Sequence, residues 1–304
     1  MRRGYLILMV AAALSFALVP GTARSRSAGM VSVTNWDSNC CASCADVPEW
    51  NNMITRWYNN IQHSKHGAQA YDDYNIYRID STISQDLLTD DPEPGHNDDE
   101  WIDGVNVAIV GMHGGEHPSH FWRGQPRVTG VYGECSVEAT EMKVGDLYNN
   151  SLVLSSCHSV CKEYFTYWSN WDVMFNGTHQ IDGFHGVMWI DEDLRDNYAM
   201  LSDDGFDMPV KLSFIDNLYK ADDWYVDGVS VDQCPIPVSA GAFASQAEFH
   251  RDNYDYDSWD FDPSLSRIPL KVEKGTAVAY RPGCETWTTF SKEDRREGTI
   301  PKRD

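Results

Sequence analysis

Two short apolar runs separated by about forty residues constrain the fold of this chain most strongly. They cover residues 105–112 and 151–156, and a third run follows at residues 181–187. Short apolar runs of this kind are typical of buried strands in a parallel sheet, and the first separation is long enough for a crossover connection. The pattern predicts at least three strands of one sheet.

Segments with helical periodicity alternate with these runs. Over residues 48–63, apolar side chains recur at helical spacing behind Asp46 as N-cap, and further helices are predicted over residues 164–175 and 209–222. Alternation of strand and helix predicts an α/β fold: an open, mostly parallel sheet with helices on both faces. We assign residues 48–290 to this single domain and residues 291–304 to a charged tail.

The amino-terminal region carries the features of a signal peptide. Arg2 and Arg3 precede an uncharged, mostly apolar run over residues 5–19, and small residues follow at positions 20–23. A run of this length is shorter than the roughly twenty residues that a membrane-spanning helix needs. We therefore expect residues 1–23 to be removed, and the mature protein to be secreted or periplasmic without membrane association.

The charge of the mature chain is strongly negative. Without Arg2 and Arg3 it has 22 basic residues against 46 acidic ones, a net charge of −24 with histidine neutral. Contacts with phosphate groups need clustered Lys and Arg. The sequence therefore argues against nucleic-acid or anionic-membrane partners. It carries no signal for an oligomeric state.

Eight cysteines indicate that disulfides form if the chain is exported. Three of them, Cys40, Cys41 and Cys44, lie in a small, polar N-terminal segment that we place at residues 24–47 and interpret as stapled by disulfides. Eight cysteines allow many pairings, and spacing alone selects none of them.

Chemically reactive residues follow the first two predicted strands. His113 comes directly after the first run, and Cys157 directly after the second. Functional residues of open parallel sheets lie at the carboxyl ends of the strands, where the loops face one crevice. An imidazole there can take the proton of a thiol and activate it as a nucleophile. Gly114 lets a substrate carbonyl approach its N–H group, which could stabilise an oxyanion together with the N–H of Cys157.

This pair of motifs resembles the caspase-like cysteine peptidases, which include caspases, legumain, gingipains and separase. An apolar strand ends in His-Gly, and a second apolar strand, some forty to fifty residues later, ends in Ser-Cys; the likeness covers about residues 101–190. It implies a caspase-haemoglobinase fold, with His113 as catalytic histidine, Cys157 as nucleophile and Gly114 as oxyanion donor. Residues 168–187 are similar to a group of uncharacterised bacterial caspase-like proteins.

A competing interpretation makes Cys157 half of a disulfide. Cys161 lies one helical turn further on and Cys135 precedes the second strand, so either could compete for the sulfur. The protein would then be a non-catalytic, disulfide-stapled domain of the same fold that uses its crevice for binding.

Two metal sites are weaker alternatives. His117 and His120 follow His113 in a histidine-rich stretch that could bind zinc and support a metal-dependent hydrolase, but Pro118 prevents the helix that would align these side chains. Acidic residues over 252–262 could hold a structural calcium ion, although they lack the glycine and terminal glutamate of an EF-hand loop. Our leading hypothesis is a secreted cysteine endopeptidase that acts on a peptide or protein substrate and needs no cofactor.

Overall fold

The structure of the chain is a computed structural model. The described residues are 26–34, 47–62, 71, 76–79, 87–89, 98–112, 114–116, 126–129, 136–145, 147–157, 159–160, 175–185, 188–226, 229–240, 244–256 and 276–278.

Eleven strands and five α-helices occur in the described residues. The strands are β1 (Ala28–Ser32), β2 (Ile76–Ile79), β3 (Val107–Gly111), β4 (Gly114–Glu116), β5 (Pro126–Thr129), β6 (Ser136–Glu138), β7 (Ser151–Ser155), β8 (Gln180–His185), β9 (Lys220–Val226), β10 (Val229–Ala240) and β11 (Thr276–Val278). The helices are α1 (Pro48–Gln62), α2 (Ala139–Met142), α3 (Leu194–Asp207), α4 (Val210–Leu218) and α5 (Ala244–Asn253).

The centre of the protein is a mixed, mostly parallel sheet of eight strands. Its order is β11-β10-β8-β7-β3-β1-β2, and β9 pairs with β10 outside this path. The five strands β8, β7, β3, β1 and β2 are parallel, whereas β10 runs antiparallel to β8. The prediction of an α/β fold with a mostly parallel sheet is confirmed, and the three apolar runs form β3, β7 and β8. Strands β4, β5 and β6 form a small separate antiparallel sheet.

Helices α1, α3 and α4 cover one face of this sheet. Trp50 and Ile54 of α1 lie so close to Gly111 that a Cβ there would approach Ile54 Cγ1 to 2.5 Å. Strand register places Phe184 on the same face, where its ring contacts Phe214 of α4 at a centroid distance of 5.4 Å. Helix α3 packs between α1 and α4. The sheet's apolar face is thereby removed from water, which is the main stabilising contribution in a domain of this size.

Two of the predicted helices are found, with one change of boundary. Helix α1 matches the prediction for residues 48–63 almost to the residue, although the proposed cap, Asp46, lies outside the described residues. The helix predicted over 209–222 ends at Leu218, because Tyr219 is already extended and Lys220 begins β9. Of the helix predicted over residues 164–175, residues 164–174 lie outside the described residues, and Phe175 forms a β-bridge with Val144.

Strand β1 lies within the N-terminal segment that sequence analysis placed before the α/β domain. It pairs with β2 on one side and β3 on the other, and all five of its residues are buried. Asn106 fixes its entry into the sheet, because the side-chain oxygen Oδ1 accepts the backbone N–H of Ser27 at 2.9 Å. Residues 28–32 are thus part of the domain core rather than of a peripheral staple.

Strand β10 contains two prolines, Pro235 and Pro237, which pair with Phe184 and Asp182 of β8. Proline has no N–H group to donate, so it is confined to positions where one side of a strand is unpaired. β9 pairs with β10 at residues 229–233 and β11 pairs with it at residues 238–240. Among the described residues, none pairs with the stretch between them on the side away from β8, and that gap accommodates both prolines.

Several predictions fall on parts of the chain that the structure does not describe. These are the signal peptide at 1–23, the cluster of Cys40, Cys41 and Cys44, and the tail at 291–304. No helix in the described ranges combines the length and apolar character needed to cross a membrane.

Candidate functional site

Cys157 stands where β7 ends, at the carboxyl edge of the parallel strands. Its thiol is free and the residue is partly exposed. Cys234, by contrast, is disulfide-bonded, with a partner outside the described residues. The proposed competitors for a disulfide with Cys157, Cys135 and Cys161, also lie outside those residues. The structure therefore presents Cys157 as an unpaired thiol at the edge where catalytic side chains were expected.

The two residues that flank His113 both pack against the end of β7. The carbonyl oxygen of Met112 accepts a hydrogen bond from Ser156 Oγ at 2.7 Å. Gly114 lies so close that an added Cβ would overlap the Cys157 carbonyl oxygen and lie 2.8 Å from Ser156 Cβ. His113 itself lies outside the described residues. The chain on either side of it is nevertheless fixed to Ser156 and Cys157.

Backbone groups of Met188 surround the sulfur of Cys157. The Met188 N–H donates to Cys157 Sγ at 3.3 Å, and the thiol can donate to the Met188 carbonyl oxygen at 3.7 Å. Burial raises the pKa of the Cys157 thiol, while the N–H groups of Met188 and of Cys157 itself act in the opposite direction. The resting sulfur is therefore a protonated thiol at neutral pH, and it needs a base to become nucleophilic.

The turn after β7 is held by the side chain of Ser159. Its Oγ lies 2.7 Å from the Ser156 carbonyl oxygen and accepts the Phe184 N–H at 3.1 Å. Gly183 makes room for this turn, because a Cβ there would lie 2.6 Å from Ser159 Oγ. These contacts join the segment that carries Cys157 to strand β8 and fix its backbone.

A buried cluster of polar and sulfur atoms lies beneath Cys157. Ser155 Oγ lies 2.6 Å from the hydroxyl of Tyr198 and 3.2 Å from the thioether sulfur of Met188. Trp50 Nε1 donates to the Ser155 carbonyl oxygen at 3.0 Å. Burial raises the pKa of Tyr198, so its hydroxyl remains protonated. Sequence reasoning missed these residues, because Met188 and Tyr198 lie 31 and 41 positions from Cys157 and belong to no motif.

The residues proposed for metal binding cannot be placed against one another. His117 and His120 lie outside the described residues, and the described part of the chain contains no group of three or more His, Cys, Asp or Glu that could hold a metal ion. Of the proposed calcium stretch, Asp252 and Asn253 belong to α5 rather than to a loop, and Asp252 forms an ion pair with Lys211. Residues 257–262 lie outside the described residues.

A stacked histidine pair lies at the opposite end of β8. The rings of His179 and His250 are stacked at a centroid distance of 4.8 Å, and Tyr254 stacks on His250 at 4.7 Å. His250 donates its Nδ1 proton to the carbonyl oxygen of Ala240 at 2.7 Å. Burial, followed by the neighbouring His250, lowers the pKa of His179 to about 3. Both rings are neutral in the folded protein at neutral pH.

We expect this pair to make the protein less stable in acid. The unfolded chain takes up a proton at His179 below about pH 6.5, but the folded protein does so only near pH 3. The contribution of His179 to stability therefore falls as pH drops from 6.5 towards 3, by roughly 2 to 3 kcal/mol at pH 4.5. His179→Phe keeps the stack and removes the titration, so in urea unfolding it should become more stable relative to the parent at pH 4.5 than at pH 7. Tyr254→Phe keeps both imidazoles and should show no such gain relative to the parent; equal gains in the two variants would contradict the assignment.

The fold and the site together define a class: a mostly parallel α/β domain with a free cysteine at the carboxyl end of a central strand. Residues 34–260 match the family described as Domain of unknown function (DUF6345), and this match covers most of the chain. The protein belongs to that family. No curated protein and no solved structure matches the chain.

Proposed function

We propose that the protein is a secreted cysteine endopeptidase of caspase-like fold, with Cys157 as nucleophile and His113 as its base. The observation that carries this proposal is the packing of Met112 and Gly114 against Ser156 and Cys157. His113 is joined by peptide bonds to Met112 and Gly114, and consecutive Cα atoms are only about 3.8 Å apart. A histidine is thereby tied to the backbone that carries a free thiol.

The proposed reaction is acyl transfer through a thioester. His113 takes the thiol proton of Cys157, and the sulfur attacks the carbonyl carbon of the substrate peptide. The oxygen of the tetrahedral intermediate accepts hydrogen bonds from the N–H groups of Gly114 and Cys157. Collapse breaks the C–N bond, and the leaving amine takes the proton from His113. Water, deprotonated by His113, then hydrolyses the thioester and regenerates the thiol.

The disulfide at Cys234 supports the proposed export. Cys234 is disulfide-bonded, and stable disulfides belong to oxidising compartments such as the periplasm and the extracellular space. The signal peptide predicted at residues 1–23 leads to the same compartments. A free thiol at Cys157 in a chain with a disulfide at Cys234 fits a chemical rather than a structural use of Cys157.

The test combines alkylation with peptide hydrolysis. We expect iodoacetamide to modify Cys157 in the folded mature protein without prior reduction, as read by peptide mass spectrometry. Cleavage of a mixed peptide library should be lost, by about a thousandfold or more, in Cys157→Ala and in His113→Ala, because neither retains the activated nucleophile. EDTA should leave the activity unchanged. Cleavage that survives in Cys157→Ala would exclude the proposal, and loss with EDTA would favour the metal-dependent alternative.

One observation favours a non-catalytic domain as the second candidate. Burial raises the pKa of the Cys157 thiol, and the thiol can donate to the Met188 carbonyl oxygen at 3.7 Å, so the sulfur is held in its less reactive, protonated form. If the protein only binds peptides through the crevice, Cys157→Ala will bind library peptides as the parent does, and neither protein will cleave them.

A further inference from the structure

We propose that Tyr198 and Ser155 are positioning residues that hold Met188 so that its peptide N–H stays directed at the sulfur of Cys157. This inference rests on the proposed use of Cys157 as a nucleophile. It assigns a role in that site to residues of three different elements, β7, α3 and the segment between β8 and α3.

The contacts form a continuous path. Tyr198 OH and Ser155 Oγ are 2.6 Å apart, and Ser155 Oγ lies 3.2 Å from Met188 Sδ, while Tyr198 OH itself lies 4.0 Å from that sulfur. The Met188 backbone then donates to Cys157 Sγ at 3.3 Å. Two hydroxyl groups thus fix the side chain of the residue whose peptide group faces the nucleophile.

This path lies in an environment that keeps it rigid. Tyr198 is 0 % exposed, Ser155 is 0 % exposed and Met188 is 3 % exposed. Trp50 of α1 donates a hydrogen bond to the Ser155 carbonyl oxygen. Trp189, which follows Met188 in the chain, donates its backbone N–H to Gln233 Oε1 on β10. The peptide of Met188 is therefore held by both its side chain and its neighbour in the chain. Buried polar groups that are fully bonded rigidify the atoms they join.

The chemical consequence concerns the thiolate. A hydrogen bond to a charged acceptor stabilises it more than it stabilises the neutral form, so the Met188 N–H favours ionisation of Cys157 against the effect of burial. When His113 removes the thiol proton, this N–H becomes the donor that the developing thiolate needs. Loosening Met188 should make the thiolate harder to form without removing any reacting group.

The test is the pH dependence of alkylation, which follows the thiolate directly. In Tyr198→Phe, the rate of iodoacetamide modification of Cys157 should be roughly threefold to tenfold lower at pH 7, with the profile displaced to higher pH, since part of a charge-assisted hydrogen bond is lost. Met188→Leu preserves the apolar volume but removes the sulfur that Ser155 contacts, and it should displace the profile in the same direction. If Tyr198→Phe does not fold, the alkylation profile of Met188→Leu tests the inference by itself.

Tyr71→Phe is the matched control. Its hydroxyl is also buried and donates to the backbone oxygen of Tyr256 at 2.8 Å, away from Cys157. It should lose similar stability and keep the parent's alkylation profile. A profile unchanged in both Tyr198→Phe and Met188→Leu overturns the inference, as does an equal displacement in Tyr71→Phe. If both variants show the expected displacement but the parent cleaves no peptide, the proposed function alone is contradicted. If the parent cleaves peptides but the alkylation profiles of the parent and both variants coincide, this inference alone is contradicted.

Discussion

Asp182→Asn should stabilise the protein at neutral pH and remove the loss of stability that this carboxyl causes as pH rises from about 4 to about 8. Asp182 is completely buried on β8, and Gln180 Nε2 donates to its Oδ1 at 2.7 Å. Its other oxygen has no hydrogen-bond partner among the described residues. Burial raises the pKa of this carboxyl from 3.8 to about 8, with the bond from Gln180 acting in the opposite direction.

The direction follows from proton counting. Between pH 4 and pH 8, the unfolded chain has lost the proton of Asp182 while the folded protein keeps it, so the contribution of this residue to the free energy of unfolding falls as pH rises and levels off above pH 8. The pKa difference corresponds to roughly 5 kcal/mol over that range, and we expect Asn to recover about 2 to 4 kcal/mol at pH 7. The amide stays neutral, and its oxygen can still accept from Gln180.

Guanidinium unfolding at pH 5, 7 and 9 measures this effect. The difference between parent and variant should be small at pH 5 and largest at pH 9. Asp103→Asn is the control, because Asp103 is equally buried but both of its oxygens accept the N–H of Gly145, at 2.9 and 2.7 Å. That variant should lose stability. An Asp182→Asn protein that is less stable than its parent at pH 9 would show that the carboxyl is ionised and bonded in the fold.

Gly114→Ala should impair both the fold and the candidate site. The new methyl group would overlap the Cys157 carbonyl oxygen, and the carbonyl carbon of the same residue would lie 3.2 Å away. Backbone atoms cannot rotate aside as a side chain can, so the segment that carries Gly114 and the segment that carries Cys157 must move apart. We expect a loss of about 3 kcal/mol in the free energy of unfolding, and at least a tenfold loss in any peptide cleavage because reacting groups move apart.

Gly29→Ala provides the comparison for this prediction. Gly29 lies on β1 of the main sheet, between β2 and β3, where an added Cβ would meet the side chain of Val105 at 3.0 Å and that of Ile76 at 3.4 Å. Because only side chains need to move, the loss should be about 1 kcal/mol, with cleavage unchanged. Thermal unfolding and cleavage of the peptide library are measured for Gly114→Ala and Gly29→Ala. Equal losses of stability and cleavage in the two variants would mean that the close approach of Gly114 to Cys157 is not required.

Sequence patterns predicted those elements whose pattern is local. Helix α1 has its apolar side chains at regular helical spacing, and β3 and β7 are uninterrupted apolar runs, so each could be located within one or two residues. The position of Cys157 at the end of β7 followed from the same run. These are the parts of the fold in which neighbouring residues alone determine the element.

The remaining elements depend on contacts between distant residues. Strand β1 has the sequence Ala-Gly-Met-Val-Ser, which is short and only weakly apolar, and it is a strand because β2 and β3 pair with it. Pro235 and Pro237 indicate that residues 229–240 are not a strand. Only the structure shows that β9 pairs with residues 229–233 and β11 with residues 238–240, so that neither pairs with the two prolines. The hydrogen bond from the Met188 N–H to Cys157 Sγ could not be predicted from a local pattern either, since the pairing of β7 with β8 brings the two residues together.

The position of β1 also governs how the sheet can be assembled during synthesis. β1 emerges first, but its neighbour β3 begins 75 residues after β1 ends. Both edges of β1 are open to other chains until β2 is synthesised, and one edge stays open until β3 follows; such non-local pairing is slow and prone to aggregation. A fragment that begins after residue 32 would leave β2 and β3 with the same open edges. Production of this protein should therefore retain residues 26–34 and favour slow synthesis at low temperature.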